Sequence, residues 1–264
     1  MSLHGTESQV VMFMSVDVVG STAFKASAQR DGADWLQAFE TLFRELPLIF
    51  IGKVAEAFLE HDSIPESGVW KVMGDEVIFV ALPRDAAEAG GLVAAFVRCV
   101  AEYDQRLAAR WPLHIRGSCW AAELGRRNRM IEIPEMFGGT DGRPYRDFLG
   151  PDVDTGFRLS AHAGTGEVIL SPNLAETLAQ QPDSALRFHH IGAKSLKGVI
   201  GGMAFPLVLV SVADEGEVAS TRTVTPSLGL SSMLKALRAQ LHQQCGIEMA
   251  PPVLLENAAQ AVSE

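Results

Sequence analysis

The chain has 264 residues, 47% of them apolar and 20% charged, enough to fill the core of one large domain or of a domain with an appendage. Its net charge of −10 argues against non-specific nucleic-acid binding as the main task, although a few local cations can still hold a triphosphate. Three scattered cysteines, Cys99, Cys119 and Cys245, with no CxxC pair, offer neither a disulfide framework nor a structural zinc site.

Met1 to Gln9 is polar and lacks the basic-then-apolar order of a secretory signal. Val10 to Val18 is an almost unbroken apolar run, which predicts a buried strand, and Gly20-Ser21-Thr22 then turns the chain. Asp34 to Glu60 has helical spacing through Trp35, Phe39, Leu42, Phe43 and Leu46, with Pro47 expected to kink or split the helix. After a turn-rich break at Ser63 to Gly68, Val69 to Met73 and Glu76 to Leu82 form a predicted hairpin closed at Gly74-Asp75. Ala86 to Arg110 is a second long helix, burying Leu92, Ala95, Phe96, Cys99, Val100 and Tyr103, and Leu113 to Ala121 is a fourth strand. The resulting order, βαββαβ, is the ferredoxin-like arrangement of an α+β domain.

Glu123 to Arg146 interrupts the pattern with Arg126, Arg127, Arg129, Arg143 and Arg146, and reads as a long loop or β-arm, a candidate brace or lid. A short helix at Val153 to Ala163, strands at Glu167 to Leu170 and Phe188 to Ile191, a helix from Pro172 to Gln180 and a closing strand at Phe205 to Val212 extend the fold. The apolar stretch from Val199 to Ala213 holds Pro206 and two glycines and is too short to span a bilayer, so a soluble cytoplasmic protein is expected. The composition divides the chain into a main domain over 1–213, a Ser/Thr-rich linker over 214–230, and a helix with a loose tail over 231–264. The last helix, Ser231 to Gln244, presents Met233, Leu234, Leu237 and Leu241 either to the core or to a partner.

The chemistry concentrates in two segments, Val16-Asp17-Val18-Val19-Gly20-Ser21-Thr22 and Lys71-Val72-Met73-Gly74-Asp75-Glu76. A carboxylate at the tip of an apolar strand is costly unless something positive meets it. Asp17 at a strand end and Asp75 at a hairpin tip converge if the first strand lies beside the hairpin's first strand, and can then share two Mg²⁺ or Mn²⁺ ions. The plain alternative is a pair of turn aspartates. Val19, Gly20, Ser21 and Thr22 leave backbone N–H groups for phosphate oxygens, without the GxxxxGK of a Walker loop. Asp154 and Arg158 stand four apart and share a face if helical, as an ion pair or with Arg158 turned to a phosphoryl group. Lys197 is a turn lysine or a phosphate ligand. His189-His190 has no ligand-spaced partner and reads as structural, and neither GxSxG nor a Cys/His pairing points to acyl transfer.

Taken in order, four segments resemble the class III nucleotidyl cyclases, from about Val10 to Val210. They are Phe13 to Thr22, Lys71 to Glu76, Asp147 to Arg158, and Leu196-Lys197-Gly198. The resemblance implies a cyclase catalytic domain with extra C-terminal strands and a C-terminal helix. It implies that Asp17 and Asp75, helped by the Val18 carbonyl, hold two metal ions, that Lys71 and Asp147 read the base, that Arg158 stabilises the transition state, and that Lys197 holds the terminal phosphates. It also implies a homodimer whose two chains share each site. One position departs from the pattern: the family has asparagine where Asp154 stands, and an ionised aspartate cannot donate a hydrogen bond.

Within the family, Asp-Val-Val-Gly-Ser-Thr-Ala-Phe-Lys and Gly-Pro-Asp-Val-Asp-Thr-Gly-Phe-Arg are most similar to the pyrimidine cyclases of bacterial Pycsar antiphage systems. That implies cyclisation of UTP, with the cyclic nucleotide read by a separate effector. A donor lysine and an acceptor aspartate suit both uracil (O4 and N3–H) and adenine (N1 and N6–H), so cytidylate and adenylate cyclases remain alternatives, as does a non-catalytic nucleotide sensor. Diguanylate cyclases share a ferredoxin-like core and a Gly-Asp-Glu hairpin, but Met73 stands where their motif begins with glycine.

Overall fold

A computed structural model describes residues 9–32, 34–125, 127–137, 144–181, 184–198, 204–213 and 230–245. The predicted linker and tail, and Arg126 and Arg143 of the predicted arm, lie outside the described residues. The first strand, β1 (Gln9–Val19), runs through the middle of a seven-stranded sheet. Met12, Met14, Val16 and Val18 face one layer and Val11 and Phe13 the other. A strand covered on both sides has no polar face to show, which is why its sequence reads as continuous apolar rather than alternating.

Gly20, at φ 78°, starts α1 (Ser21–Asp31), a helix where the sequence promised only a turn. Its mean hydropathy is low and it buries only Ser21 and Ala28, so no apolar stripe announces it. α2 (Leu36–Ala57) passes through Pro47 without splitting into two helices. Phe39, Leu42 and Leu46 before the proline and Phe50 and Val54 after it are buried in the same core, and that burial holds the helix together across the missing N–H.

β2 (Glu66–Met73) and β3 (Glu76–Leu82) form the predicted hairpin. α3 (Ala86–Arg110) is capped by Asp85, whose carboxylate accepts from the Glu88 N–H at 2.8 Å. β4 (His114–Leu124) follows. β5 (Arg129–Phe137) and β6 (Pro144–Leu149) pair as a separate antiparallel ribbon, so the arginine-rich segment is a β-arm. The helix expected over Val153 to Ala163 is two pieces, α4 (Pro151–Gly156) and a 3₁₀ turn at Ser160–His162. β7 (Val168–Leu170), α5 (Pro172–Ala179), β8 (Leu186–Ser195), β9 (Ala204–Val212) and α6 (Leu230–Cys245) complete the described chain.

The sheet order is β2-β3-β1-β4-β7-β9-β8. β1 therefore lies beside β3, the second strand of the hairpin, and not beside the first as expected. β3 is antiparallel to both of its neighbours, so β1 and β2 run parallel to each other with β3 between them and β2 at the sheet edge, as in a split βαβ unit. The main core joins one face of the sheet to α2, α3, α5 and α6. Leu234, Leu237 and Leu241 of α6 are buried in it, and Arg238 Nη2 reaches Glu176 Oε2 at 2.6 Å and Asn173 Oδ1 at 3.0 Å on α5. The last described helix thus packs on its own core. A smaller cluster on the opposite face is built around Phe13, Trp120, Phe148 and Val153, with Trp70 and Phe157 against it.

Cys99 and Cys119 are buried and free. Burial pushes the Cys99 thiol up to about 12 and the Cys119 thiol up as well, so neither is a nucleophile at neutral pH. Among the described residues, no helix is long and apolar enough to cross a membrane.

Candidate active site

β1 and β3 are antiparallel and in register from Met12↔Ala81 to Asp17↔Glu76, so the hairpin tip lands beside the C-terminal end of β1. Gly74 takes φ 65°, a left-handed conformation that suits glycine, and delivers Asp75 next to Glu76. The three carboxylates share one electrostatic field. Burial raises the Glu76 carboxyl above its ordinary value, the Ser15 hydroxyl donates to it and opposes the rise, and the charges of Asp17 and Asp75 raise it again.

Asp17 is met by a cation that sequence reasoning did not find. Arg116 lies directly across on β4, and its Nη2 and Nε donate to Asp17 Oδ2 at 2.7 and 2.9 Å. Its Nη1 also donates to the Ala161 carbonyl at 3.3 Å, tying the turn that follows Arg158 to the end of β1. A charged residue inside an otherwise buried strand was the available signal. Assigning it to Asp17 required the β1–β4 register.

Asp17, Asp75 and the Val18 carbonyl are hard oxygen donors, the kind that Mg²⁺ and Mn²⁺ take. Among the described residues no three or more His, Cys, Asp or Glu form a self-contained metal cage. One or two carboxylates completed by substrate phosphates is nevertheless the usual way a protein holds Mg²⁺. The donor set fits such ions, with Asp17 Oδ2 shared with Arg116. Immediately beyond, the first turn of α1 starts at Gly20 without a side-chain cap, beside Val19 and with Ser21 buried and Thr22 exposed. The N–H groups of that turn are the ones expected to face phosphate oxygens.

A second group forms where β2 meets the arm. Lys71 Nζ donates to Asp147 Oδ1 at 2.9 Å, and the same oxygen accepts from the Phe148 N–H at 2.9 Å. The register of β2 against β3 slips between Val69 and Lys71, leaving Trp70 as the extra residue of a β-bulge. Trp70 Nε1 donates to the Arg146 carbonyl at 3.0 Å, and Lys71 Nζ sits 3.8 Å from the Trp70 ring centroid. The predicted pair Lys71 and Asp147, 76 positions apart in the chain, is therefore in contact.

The remaining predicted residues are not gathered in. α4 ends at Gly156, so Arg158 lies beyond the helix that was to place it on one face with Asp154, and both side chains are exposed. At Gly156 a Cβ would sit 2.1 Å from Trp120 Cδ2, so the residue must be glycine for the backbone to pass this close to the indole, and beyond it the Arg158 N–H donates to the Thr155 carbonyl at 3.0 Å in a tighter turn. The start of α4 is clamped by Asn128, which donates to Asp152 Oδ2 at 2.7 Å and accepts from the Asp152 N–H at 3.2 Å. Lys197 is exposed in the turn after β8, the edge strand farthest from β2. His189 bonds Ser211 Oγ at 3.0 Å across the β8–β9 pair, the structural role expected of it.

No family model and no curated protein matches this sequence. Solved structures do match it. The adenylyl cyclase CyaB from P. aeruginosa superposes with a TM-score of 0.52 at 15% identity, over 78% of this chain and 95% of that one. The guanylate cyclase domain of RhGC from Catenaria anguillulae, solved with GTP, gives 0.52 at 12% identity, over 77% and 97%. Adenylate cyclases from Trypanosoma brucei in their monomeric state give 0.50 at 13% identity, over 82% and 95%. The chain has the fold of a nucleotide cyclase catalytic domain. At these identities the likeness concerns the fold, and the activity has to be argued from the residues.

Proposed function

We propose that the chain is a nucleotide cyclase that converts a nucleoside triphosphate, UTP first, to the 3′,5′-cyclic monophosphate and pyrophosphate, making a second messenger for antiphage defence. One observation supports the reading: in a cyclase fold, the β2–β3 hairpin carries Lys71, paired with Asp147 of β6, on one strand and at its tip Asp75 and Glu76, with Glu76 directly across from Asp17 of β1. In the reaction the 3′-oxygen bonds to the α-phosphorus, the bond from that phosphorus to the β-phosphate oxygen breaks, pyrophosphate leaves, and the hydroxyl proton passes to solvent. Mn²⁺ or Mg²⁺ held at Asp17, the Val18 carbonyl and Asp75 would lower the pKa of the hydroxyl and neutralise phosphate charge.

The chain's own groups do the rest. Val19, Gly20, Ser21 and Thr22 present first-turn N–H groups to the phosphates. Lys71 donates to the base edge and Asp147 accepts from it. Arg158 meets charge developing on the phosphoryl group, and Lys197 holds the terminal phosphates. Asp154 takes a ribose hydroxyl as acceptor, the role left to it by an ionised side chain. Arg158 and Lys197 are dispersed and exposed in one chain, which supports a symmetric homodimer in which each chain completes the other's site. The cyclase unit is assigned to 1–213, the connection to 214–230, and 231–264 to a helix and tail. The protein works in the cytoplasm, without nucleic acid or membrane, and a separate effector reads its product.

A cytidylate or adenylate cyclase is the second reading, favoured by the same donor–acceptor pair, since Lys71 and Asp147 suit the adenine edge as well. The test is incubation with Mn²⁺ and each of the four ribonucleoside triphosphates, with products identified by mass. Cyclic UMP as the main product is expected. Cyclic AMP or CMP as the main product moves the assignment to the second reading, a guanine dinucleotide to a diguanylate cyclase, and no cyclic product from any substrate refutes cyclase activity.

A further inference from the structure

Successive residues on a strand point to opposite faces of the sheet. Trp70 and Lys71 break that rule, because the Lys71 ammonium lies over the ring of its own neighbour at 3.8 Å. The bulge at Trp70 is what turns both side chains to one side. The indole is then wedged in the small aromatic cluster, edge-on to Phe148 at 5.0 Å and to Phe13 at 5.4 Å between ring centroids. Its N–H is spent on the Arg146 carbonyl, the residue immediately before Asp147. One side chain thus touches both halves of the donor–acceptor pair: its π-face holds the lysine and its N–H holds the strand that carries the aspartate.

We propose that Trp70 is a positioning residue for base selection, fixing the distance and angle between the Lys71 donor and the Asp147 acceptor through its ring and its indole N–H. The proposal rests on reading Lys71 and Asp147 as the base-reading pair. A rigid spacing matters here because the uracil and adenine edges offer the same donor–acceptor types and differ in where they sit relative to the ribose. A pair free to drift accepts either, whereas a pair held in register favours one. The cost of the device is visible in the fold, since the bulge leaves Trp70 out of the β2–β3 ladder.

The experiment compares wild type with Trp70→Phe, which keeps an aromatic face and loses the N–H, and Trp70→Leu, which loses both. For each protein, kcat and KM are measured with the four triphosphates, alongside the melting temperature. Affinities are measured by calorimetry for the four 3′-deoxy triphosphates, which lack the attacking hydroxyl and cannot cyclise. Trp70→Leu is expected to shrink the preference between the best and second-best base by roughly tenfold to a hundredfold, mainly through KM for the preferred base. Trp70→Phe is expected to recover part of that preference, with a melting temperature near that of wild type. If Trp70→Leu fails to fold, Trp70→Phe alone reads the N–H. A preference unchanged in the folded variants overturns the proposal. Wild type that turns over no triphosphate refutes the cyclase reading instead. The 3′-deoxy affinities then judge Trp70 by themselves, and either no base preference in wild type or one that the variants leave intact overturns its role.

Discussion

The two faces of the sheet are built on different principles. One is sealed by α2, α3, α5 and α6 over an aliphatic and phenylalanine core that holds Phe50, Phe79 and Phe96, with Phe50 and Phe79 only 4.5 Å apart between ring centroids. The other carries a small aromatic cluster partly covered by α4 and bordered by the β5–β6 arm, and its edge bears Lys71, Asp147 and the exposed apolar side chains of Met73 and Leu149. The first face supplies stability. The second trades cover for access, so changes on the two faces should separate stability from activity.

The largest separation is expected at Asp17 of the acidic tip and at Arg158. Asp17→Ala and Arg158→Ala should each lose activity by at least roughly 10²–10³-fold while the helical core, and with it the melting transition, is retained. Mixing the two inactive chains should restore part of the activity through dimers holding one intact site. No recovery, with subunit exchange demonstrated by labelled chains, would count against shared sites.

Next come two packing changes, one on each face. Phe50→Ala empties a fully buried site and should cost about 3–5 kcal/mol in denaturant unfolding, with KM unchanged in the folded fraction. Gly156→Ala forces a Cβ against the Trp120 indole and should cost about 1–3 kcal/mol while also disturbing Arg158, so that activity falls with stability. Equal effects of both substitutions on KM would erase the distinction between the faces.

The smallest effect is expected at Glu76. Its carboxyl is raised above the ordinary 4.5, first by burial, so the folded protein holds that proton more tightly than the unfolded chain. Below the ordinary value both states are protonated and nothing is lost. As pH rises from there through the folded value, the unfolded chain releases its proton first and stability falls. Glu76→Gln should melt higher than wild type at neutral pH, by about 2–4 °C, and the difference should close on acidification below that window. A difference that persists at low pH would assign the effect to packing instead of charge.

How much of this was legible in the chain depends on whether a residue's role is local. Asp17 and Asp75 could be singled out because Asp17 is a lone charge in an apolar run and Asp75 follows Gly74 at the turn between two apolar strands. α2, α3 and β4 could be placed because their apolar spacing repeats. α1 escaped because a helix that buries only Ser21 and Ala28 has no apolar stripe to reveal it. Pro47 does not split α2 because local propensity gave way to the burial of Leu46 and Phe50 on either side of it. Arg158 was assigned to a helix that ends two residues too early, at Gly156, where the backbone closes on Trp120 of another strand.

The amino-acid order alone therefore determined the central strands, the two long helices and the short list of charged residues proposed to act on a triphosphate, since periodicity and charge beside apolar runs are properties of neighbours along the chain. Only the tertiary structure decided that β1 pairs with the far strand of the hairpin, that Arg116 answers Asp17, and that Lys71 meets Asp147 over the Trp70 ring. Register and bulges select these contacts, and a shift of one residue along a strand turns every side chain to the other face.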